Sequence, residues 1–157
     1  MINYIDTEPS QKTKGSRLLI LDRDGVINKD DGYFHNKNNI VYIDKNLNLV
    51  KKYVDSGWII CVATNQSGIG RGYFTLDTFR DLCELMSKKL KERGIVIDRW
   101  YFCPHNPIVE KCDCRKPSPG MLLAAIDYYQ PIEVVFVGDK SSDEIAAKNA
   151  NIEFIKV

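Results

Sequence analysis

The apolar run Arg17-Leu18-Leu19-Ile20-Leu21 stops abruptly at Asp22-Arg23-Asp24-Gly25, and this junction constrains the chain more than any other stretch. Branched apolar residues without alternation predict a strand buried on both faces, and Asp-Gly is turn chemistry that ends it. Asp22 then falls at the carboxyl end of the strand, with Asp24 in the loop just beyond. Their i, i+2 spacing leans both side chains to one side of the sheet. Two carboxylates so close repel each other, and the usual remedy is a shared proton or a bound divalent cation. On this stretch alone, a turn whose acids face water is an equal reading, and an Asp-x-Asp metal and nucleotide-sugar site stays open. An EF-hand loop fits poorly, because Gly25 is fourth rather than sixth and Val26 stands at a ligand position.

Later strands repeat the pattern. Trp58-Ile59-Ile60-Cys61-Val62-Ala63-Thr64 closes on Asn65-Gln66-Ser67, and Val134-Val135-Phe136-Val137-Gly138 closes on Asp139, with Lys140 next and Asp143 beyond. A third strand is expected around Trp100-Tyr101-Phe102, and a last one from Ile152 to Val157. Between them, Leu47, Val50 and Val54 fit one face of a short helix that Gly57 ends. Thr75 caps a longer helix carrying Leu76, Phe79, Leu82, Met86 and Leu90. Ser118-Pro119 has the N-cap and first-turn signature of a helix through Tyr129, and a short helix runs through Ala150. Strands alternating with helices at this spacing predict an α/β fold, a doubly wound parallel sheet in a single domain over residues 17–157. Ligands bind such sheets at the carboxyl ends of the strands, near the point where the winding reverses. Residues 1–16 are polar and aperiodic and predict a loose arm, while 28–39 read as a functional loop over the acids.

A length of 157 residues with 44% hydrophobic and 27% charged side chains suits one soluble domain. Twenty-two basic and 21 acidic residues leave a net charge of +1, which gives no electrostatic case for nucleic acid or membrane as the main partner. The N-terminal residues lack the basic and apolar blocks of a signal peptide, and no apolar run reaches spanning length, so a cytoplasmic protein is expected.

Three carboxylates, a Thr hydroxyl with neighbouring amides and one or two lysines on one rim suit phosphate and Mg²⁺. Asp22 can attack phosphorus as a carboxylate to give an aspartyl-phosphate. Asp24 can hand a proton to the leaving oxygen and take one from the water that follows. Thr64 with Lys116 or Lys140 would stabilise charge on the transferring phosphoryl oxygens. No Gly-x-x-x-x-Gly-Lys-Ser/Thr loop exists, which excludes a P-loop enzyme, and no nucleophile triad pattern is apparent. His35, in a polar loop, reads as a surface or substrate-edge residue.

Cys103-Pro104-His105 and Cys112-Asp113-Cys114 place three thiols and an imidazole within twelve residues, the ligand set of a closed tetrahedral zinc site. The plain alternative is a polar loop of reduced cysteines with an incidental histidine. Four protein ligands leave no position for a catalytic water, so the zinc is expected to be structural and to set the geometry of Arg115-Lys116-Pro117. Cys61 and Cys83, in apolar segments, read as core packing.

Taken together, Leu21-Asp22-Arg23-Asp24-Gly25-Val26-Ile27-Asn28, Thr64-Asn65-Gln66-Ser67-Gly68-Ile69, Cys103-Pro104-His105, Cys112-Asp113-Cys114-Arg115-Lys116-Pro117 and Val137-Gly138-Asp139-Lys140 resemble the haloacid dehalogenase superfamily of phosphatases. Within it they look most like D-glycero-D-manno-heptose 1,7-bisphosphate 7-phosphatases, over roughly residues 17–157. Asp30-Asp31-Gly32-Tyr33, Arg71-Gly72-Tyr73-Phe74-Thr75 and Pro117-Ser118-Pro119-Gly120-Met121 also resemble that branch. The resemblance implies Asp22 as nucleophile and Asp24 as general acid and base. It implies Mg²⁺ on Asp22, the backbone carbonyl of Asp24 and Asp139, with Asp143 in support, and Thr64 and Lys116 as phosphoryl stabilisers. It implies substrate contacts at Asp30, Asp31, Gly32, Tyr33, Thr64, Asn65, Gln66, Ser67, Arg115, Lys116 and Lys140. It further implies no cap domain and a small phosphorylated sugar as substrate in nucleotide-activated heptose biosynthesis; a monomer is expected.

Two features depart from that pattern. Six residues between His105 and Cys112 are similar to the shorter loop of the related histidinol-phosphate phosphatases, so that substrate stays open. The chain stops at Val157 where relatives continue, so an abbreviated last strand is expected. From another class, a phospho-accepting receiver-like switch domain also uses a strand-end Asp, a Thr and a Lys, although it has no use for Asp24 or the cysteine loop.

Overall fold

In the computed structural model, which describes residues 1–8 and 15–157, the apolar run at the start of the argument is a strand that feeds two cores. Leu19 and Leu21 pack on one face with Leu47, Val50, Phe79, Leu82, Met86 and Trp100. Leu18 and Ile20 pack on the other with Tyr101, Met121, Ala125, Tyr129, Ala146 and Ala147. Alternate side chains of a pleated strand point to opposite faces, so a run that is apolar throughout requires helices on both.

Those helices are present. The chain order is β1 (Asn3–Asp6), β2 (Arg17–Leu21), α1 (Asp44–Asp55), β3 (Ile59–Asn65), α2 (Leu76–Glu92), β4 (Ile97–Cys103), α3 (Gly120–Tyr129), β5 (Glu133–Gly138), α4 (Ser141–Asn149) and β6 (Glu153–Lys156). The strands lie in the order β1-β4-β3-β2-β5-β6. Pairing is parallel from β4 through β6, and β1 is antiparallel to β4. Winding runs outward from β2 to β3 and β4, then returns to β5 on the other side of β2. The reversal falls at the β2/β5 pair, where Leu21 is opposite Val137. Asp22 and Asp139 therefore follow neighbouring strand ends at the expected crevice.

Two expectations need correction. The loose arm over 1–16 is an edge strand at Asn3–Asp6, while residues 9–14 lie outside the described residues. Ile5 is buried against the core, and β4 supplies the ladder partners that a short polar segment lacks alone. Arg99 of β4 fixes the strand further: its guanidinium stacks on Tyr4 at 4.0 Å and on Tyr128 at 3.7 Å, and its Nε pairs with Asp6 Oδ1 at 2.5 Å. The second correction concerns α3, whose N-cap is Pro119 with no side-chain cap bond. The Ser118 amide donates to the Arg115 carbonyl at 2.8 Å instead, extending the turn after the cysteine loop. Gly120 begins the helix because a Cβ there would lie 2.2 Å from the Asp113 carbonyl oxygen. Thr75 does cap α2, accepting from Thr78 N at 3.0 Å.

Candidate active site

The strand ends gather carboxylates around a buried lysine, Lys116, with Lys140 also lining the cleft. Asp22, Asp139 and Asp143 bring carboxylate oxygens within 4.8 Å of one another. Lys116 Nζ reaches Asp22 Oδ1 at 2.9 Å and Asp143 Oδ1 at 2.6 Å, and donates to the Ala63 carbonyl at 2.9 Å. Burial pushes the Asp22 carboxyl up to about 7 against the pull of Lys116, with Asp143 and Asp24 adding repulsion. Asp139 is likewise raised, first by burial. Burial opposes the charge on Lys116, but its two carboxylate partners more than offset this and hold it above the ordinary range.

A divalent cation fits this place. Asp139 Oδ1 is buried without a hydrogen-bond partner, an oxygen that a hard cation would satisfy. Asp143 is already engaged, its Oδ2 accepting from the main-chain N–H groups of Asp139 and Lys140 at 3.2 and 3.1 Å. It thus orders the turn that carries Asp139. Gly25 leaves the approach clear, since a Cβ there would sit 2.0 Å from Asp139 Oδ2. The cleft lined by Asp22, Asp24, Asn65, Lys116, Lys140, Ser142 and Asp143 encloses about 40 Å³.

Asp24 stands in a different environment. Arg23 Nη2 donates to both its oxygens at 2.8 and 3.0 Å, Asn28 Nδ2 to Oδ1 at 3.0 Å, and Gln66 Nε2 to Oδ2 at 3.0 Å. Arg23 is wholly buried, flanked by the Phe34 and Phe79 rings, and also donates to the Phe34 carbonyl at 2.7 Å. Neither Arg23 nor Asn28 is singled out by the sequence. The signal available was an arginine placed between two acids that a buried strand end cannot leave solvated.

Beyond the cleft a larger cavity of about 480 Å³ opens between loops. Its walls include Asp30, Gly32, Tyr33, Asn65, Gln66, Ser67, Arg115, Lys116 and Lys140. Lys140 Nζ donates to Asp30 Oδ2 at 2.8 Å. Two loops meet at its edge, with Tyr33 against Tyr73 at 4.8 Å and His35 stacked on Phe74 at 4.8 Å.

Cys103 ends β4 and meets the other three members of the cysteine cluster. Its Sγ lies 3.5 Å from His105 Nδ1 and 3.6 Å from Cys112 Sγ, and His105 Nδ1 lies 3.2 Å from Cys114 Sγ. All four donors fall within 4.8 Å of one another. Burial acts to raise the Cys112 thiol, but the main-chain N–H groups of Arg115 and Cys114 and the neighbouring cysteines bring it down to about 7. Three sulfurs and an imidazole nitrogen converging with main-chain donors behind them suit Zn²⁺.

The comparisons with known proteins agree with this geometry. Residues 18–155 match the polynucleotide kinase 3 phosphatase family. The chain belongs to that family of haloacid dehalogenase phosphatases. An Escherichia coli protein named D-glycero-beta-D-manno-heptose-1,7-bisphosphate 7-phosphatase is 45% identical over 148 residues, covering 88% of this chain and 77% of the relative. A Pasteurella multocida protein of the same name is 41% identical over 144 residues, covering 87% and 78%. The crystal structure of D,D-heptose 1,7-bisphosphate phosphatase from B. bronchiseptica, complexed with magnesium and phosphate, superposes with a TM-score of 0.80 at 34% identity, covering 88% of this chain and 78% of that one. Membership of a family of hydrolases removes the receiver-like alternative.

Within this phosphatase the residues expected at the site separate into groups. Asp22, Asp24 and Lys116 meet in the cleft, with Asp139 in the same carboxylate cluster as Asp22. Thr64 is buried beside it, its hydroxyl accepting from Gln66 Nε2 at 2.8 Å. Asp31 is turned away, exposed and 3.9 Å from Lys29, lining a separate hollow with Phe34, His35 and Asn36. Its neighbour Asp30 faces the cavity because Lys140 holds it there. Ser142 lines both cavities and was not foreseen; its signal was its position in the first turn of the helix after Asp139. Among the described residues no helix is long and apolar enough to cross a membrane.

Proposed function

We propose that this phosphatase hydrolyses the 7-phosphate of D-glycero-D-manno-heptose 1,7-bisphosphate through an aspartyl-phosphate on Asp22, in the cytoplasmic synthesis of nucleotide-activated heptose. The observation that carries the substrate is the 45% identity to an enzyme of that name, spread over 88% of the chain.

Asp22 attacks phosphorus, and the phosphorus–oxygen bond to the sugar breaks as the new one forms. Asp24 gives its proton to the departing 7-oxygen, then accepts one from the water that attacks the phospho-aspartate, which returns the Asp22 carboxylate and releases phosphate. Lys116, fixed between Asp22 and Asp143, sets positive charge beside the transferring oxygens, and Thr64 supports the same side. Asp22, the Asp24 carbonyl and Asp139, with Asp143 in support, would hold Mg²⁺, which would supply charge that keeps Asp22 ionised despite its burial. Asp30, Gly32, Tyr33, Ser67, Arg115 and Lys140, which line the larger cavity, would surround the sugar and its second phosphate. Cys103, His105, Cys112 and Cys114 would hold a structural Zn²⁺, which would fix the start of the segment carrying Arg115 and Lys116. The chain works as a monomer.

The deciding experiment compares kcat/KM with Mg²⁺ for the two heptose 1,7-bisphosphate anomers and for histidinol phosphate. A preference for one heptose anomer is expected. A preference for histidinol phosphate would overturn the substrate and make the short cysteine loop the better guide.

A further inference from the structure

The sequence places Gln66 among the substrate contacts, yet its amide nitrogen is turned inward. Gln66 is 3% exposed, and Nε2 donates both to Asp24 Oδ2 at 3.0 Å and to Thr64 Oγ1 at 2.8 Å. The main chain of the same residue is equally engaged. Its N–H donates to the Cys103 carbonyl at 2.7 Å, and its carbonyl accepts from Ile69 N at 3.2 Å. Cys103 is both the last residue of β4 and a member of the Cys/His cluster. Gln66 is thus joined at once to the Asp24 carboxylate, to the Thr64 hydroxyl near the end of the β3 ladder and to the Cys103 end of β4.

Arg23 Nη2 spans both oxygens of Asp24, at 2.8 Å to Oδ1 and 3.0 Å to Oδ2, and the remaining donors divide unequally between them. Arg23 Nε and Asn28 Nδ2 both bind Oδ1, at 3.2 and 3.0 Å. At Oδ2, Arg23 Nη2 is joined by Gln66. The terminal torsion of an aspartate is broad, so the plane of its carboxylate is set by the donors on its two oxygens, and Gln66 is the side chain that joins Arg23 at Oδ2. A second donor on the far oxygen fixes its plane. A displacement of only an ångström between a proton donor and its acceptor is enough to slow transfer severely.

We infer that Gln66 is a positioning residue for proton transfer: its amide holds the plane of the Asp24 carboxylate toward the leaving oxygen and ties that plane to the Cys103 end of β4. This rests on the proton-transfer role proposed for Asp24. Gln66 makes no contribution of its own to charge on the phosphoryl group, and its removal affects the step that needs a proton more than the one that does not.

The test uses two esters that differ in that need. The primary alkyl phosphate of heptose 1,7-bisphosphate or histidinol phosphate, whichever is turned over, requires protonation of its leaving oxygen. The aryl ester p-nitrophenyl phosphate expels a stable phenolate without it. Because kcat/KM reports the steps through phosphoryl transfer to Asp22, the ratio of alkyl to aryl kcat/KM isolates the acid. Gln66→Met, which preserves length and buried volume, is expected to lower that ratio about tenfold, a fraction of what a general acid contributes. Gln66→Ala should lower it at least as far, with zinc content retained in both. Asp24→Asn should lower the ratio further. Parallel loss on both esters in the folded Gln66→Met protein would overturn the inference and make the residue merely structural. A rise in KM with an unchanged ratio would overturn it in favour of a substrate contact. An unchanged ratio in Asp24→Asn as well would show that the proton-transfer role of Asp24 had failed, whereas a lowered ratio in Asp24→Asn alone would sink only the role of Gln66.

Discussion

The side chain of Asn65 and the main chain of Lys116 hydrogen-bond to each other twice, Lys116 N donating to Asn65 Oδ1 at 3.0 Å and Asn65 Nδ2 donating to the Lys116 carbonyl at 3.1 Å. An amide that matches a peptide unit in both directions fixes position and orientation together. It joins the end of β3 to the segment leaving the cysteine loop, just where the lysine turns inward between Asp22 and Asp143. Asn65→Ala removes both bonds, a loss of about 1–3 kcal/mol. The expected result is a fall in kcat of about tenfold or more with only a small change in KM, since the error falls on the Lys116 ammonium rather than on sugar contacts. Steady-state kinetics on the preferred substrate check this, and a change confined to KM would contradict it.

Asp22→Asn keeps the shape of the cluster and removes one of the two carboxylates paired with Lys116. Phosphate release should fall by on the order of 10⁴ or more, as expected for a lost nucleophile. The fold should not suffer, because the charge removed is one that burial penalises. Calorimetry with chelator at pH 8 should show a melting temperature at or above that of the parent. Substantial retained turnover would exclude Asp22 as the attacking group.

The β1 strand offers a test remote from chemistry. Arg99 is 8% exposed along its side chain, stacked between Tyr4 and Tyr128 and paired with Asp6. A partly desolvated cation–π contact is worth about 1–2 kcal/mol. Arg99→Ala is therefore expected to lower the melting temperature by about 2–8 °C for a chain of this size. Phosphatase kinetics should not move, and a melting temperature equal to the parent's would show that the clamp carries no stability.

These cases show which features a sequence exposes. The convergence of strand ends was legible because Asp22, Thr64 and Asp139 each follow or close an apolar run, and in a doubly wound sheet the carboxyl ends near the reversal share one crevice. The cysteine cluster was legible because its ligands are close in sequence. Asn3–Asp6 was not, because its ladder partner lies at Arg99–Phe102 and only Ile5 enters the core. Asn65 and Gln66 do line the larger cavity, but the direction of an amide is set by long-range partners. Lys116 and Asp24 are distant in sequence, and nothing local shows that both amides are turned toward them.

Several buried neutral acids make the fold sensitive to alkali. Burial raises the Cys83 thiol to about 12 and lifts Cys61 and Tyr129 beyond their ordinary ranges, Tyr129 being further held by its hydrogen bond to Asp98. In the unfolded chain these groups ionise near their usual values of about 8.5 for Cys and 10 for Tyr. A folded-state pKa above the unfolded one means that the native state holds its protons longer, so its stability is fully present below about pH 8.5 and falls as pH rises beyond it. The urea midpoint should therefore be flat from pH 7 to 8 and drop progressively toward pH 11. Tyr129→Phe should remove the part of the slope that begins near pH 10, and a midpoint that stays level to pH 11 would contradict the burial of these groups.

The cysteine cluster should report both on metal and on catalysis. Cys112 is the most accessible of the three cysteines, and its thiol is already drawn down toward neutrality by main-chain donors. Cys112→Ser removes a ligand while keeping a similar size. Zinc measured by atomic absorption should fall from near one equivalent to well below it, because a closed tetrahedral site loses much of its affinity with one thiolate. The effect should travel along the chain to Arg115 and Lys116, since Asn65 alone cannot hold Lys116 if the preceding residues loosen. KM should then rise through Arg115 and kcat fall through Lys116, each by about 10- to 100-fold, in the manner of a metal site disturbed at its supports. A chelator applied to the parent protein, followed by Mg²⁺ alone, should reproduce the same pair of changes. Zinc content equal to the parent's in Cys112→Ser would remove Cys112 from the ligand set, and full activity after zinc loss would separate the cluster from the orientation of Lys116.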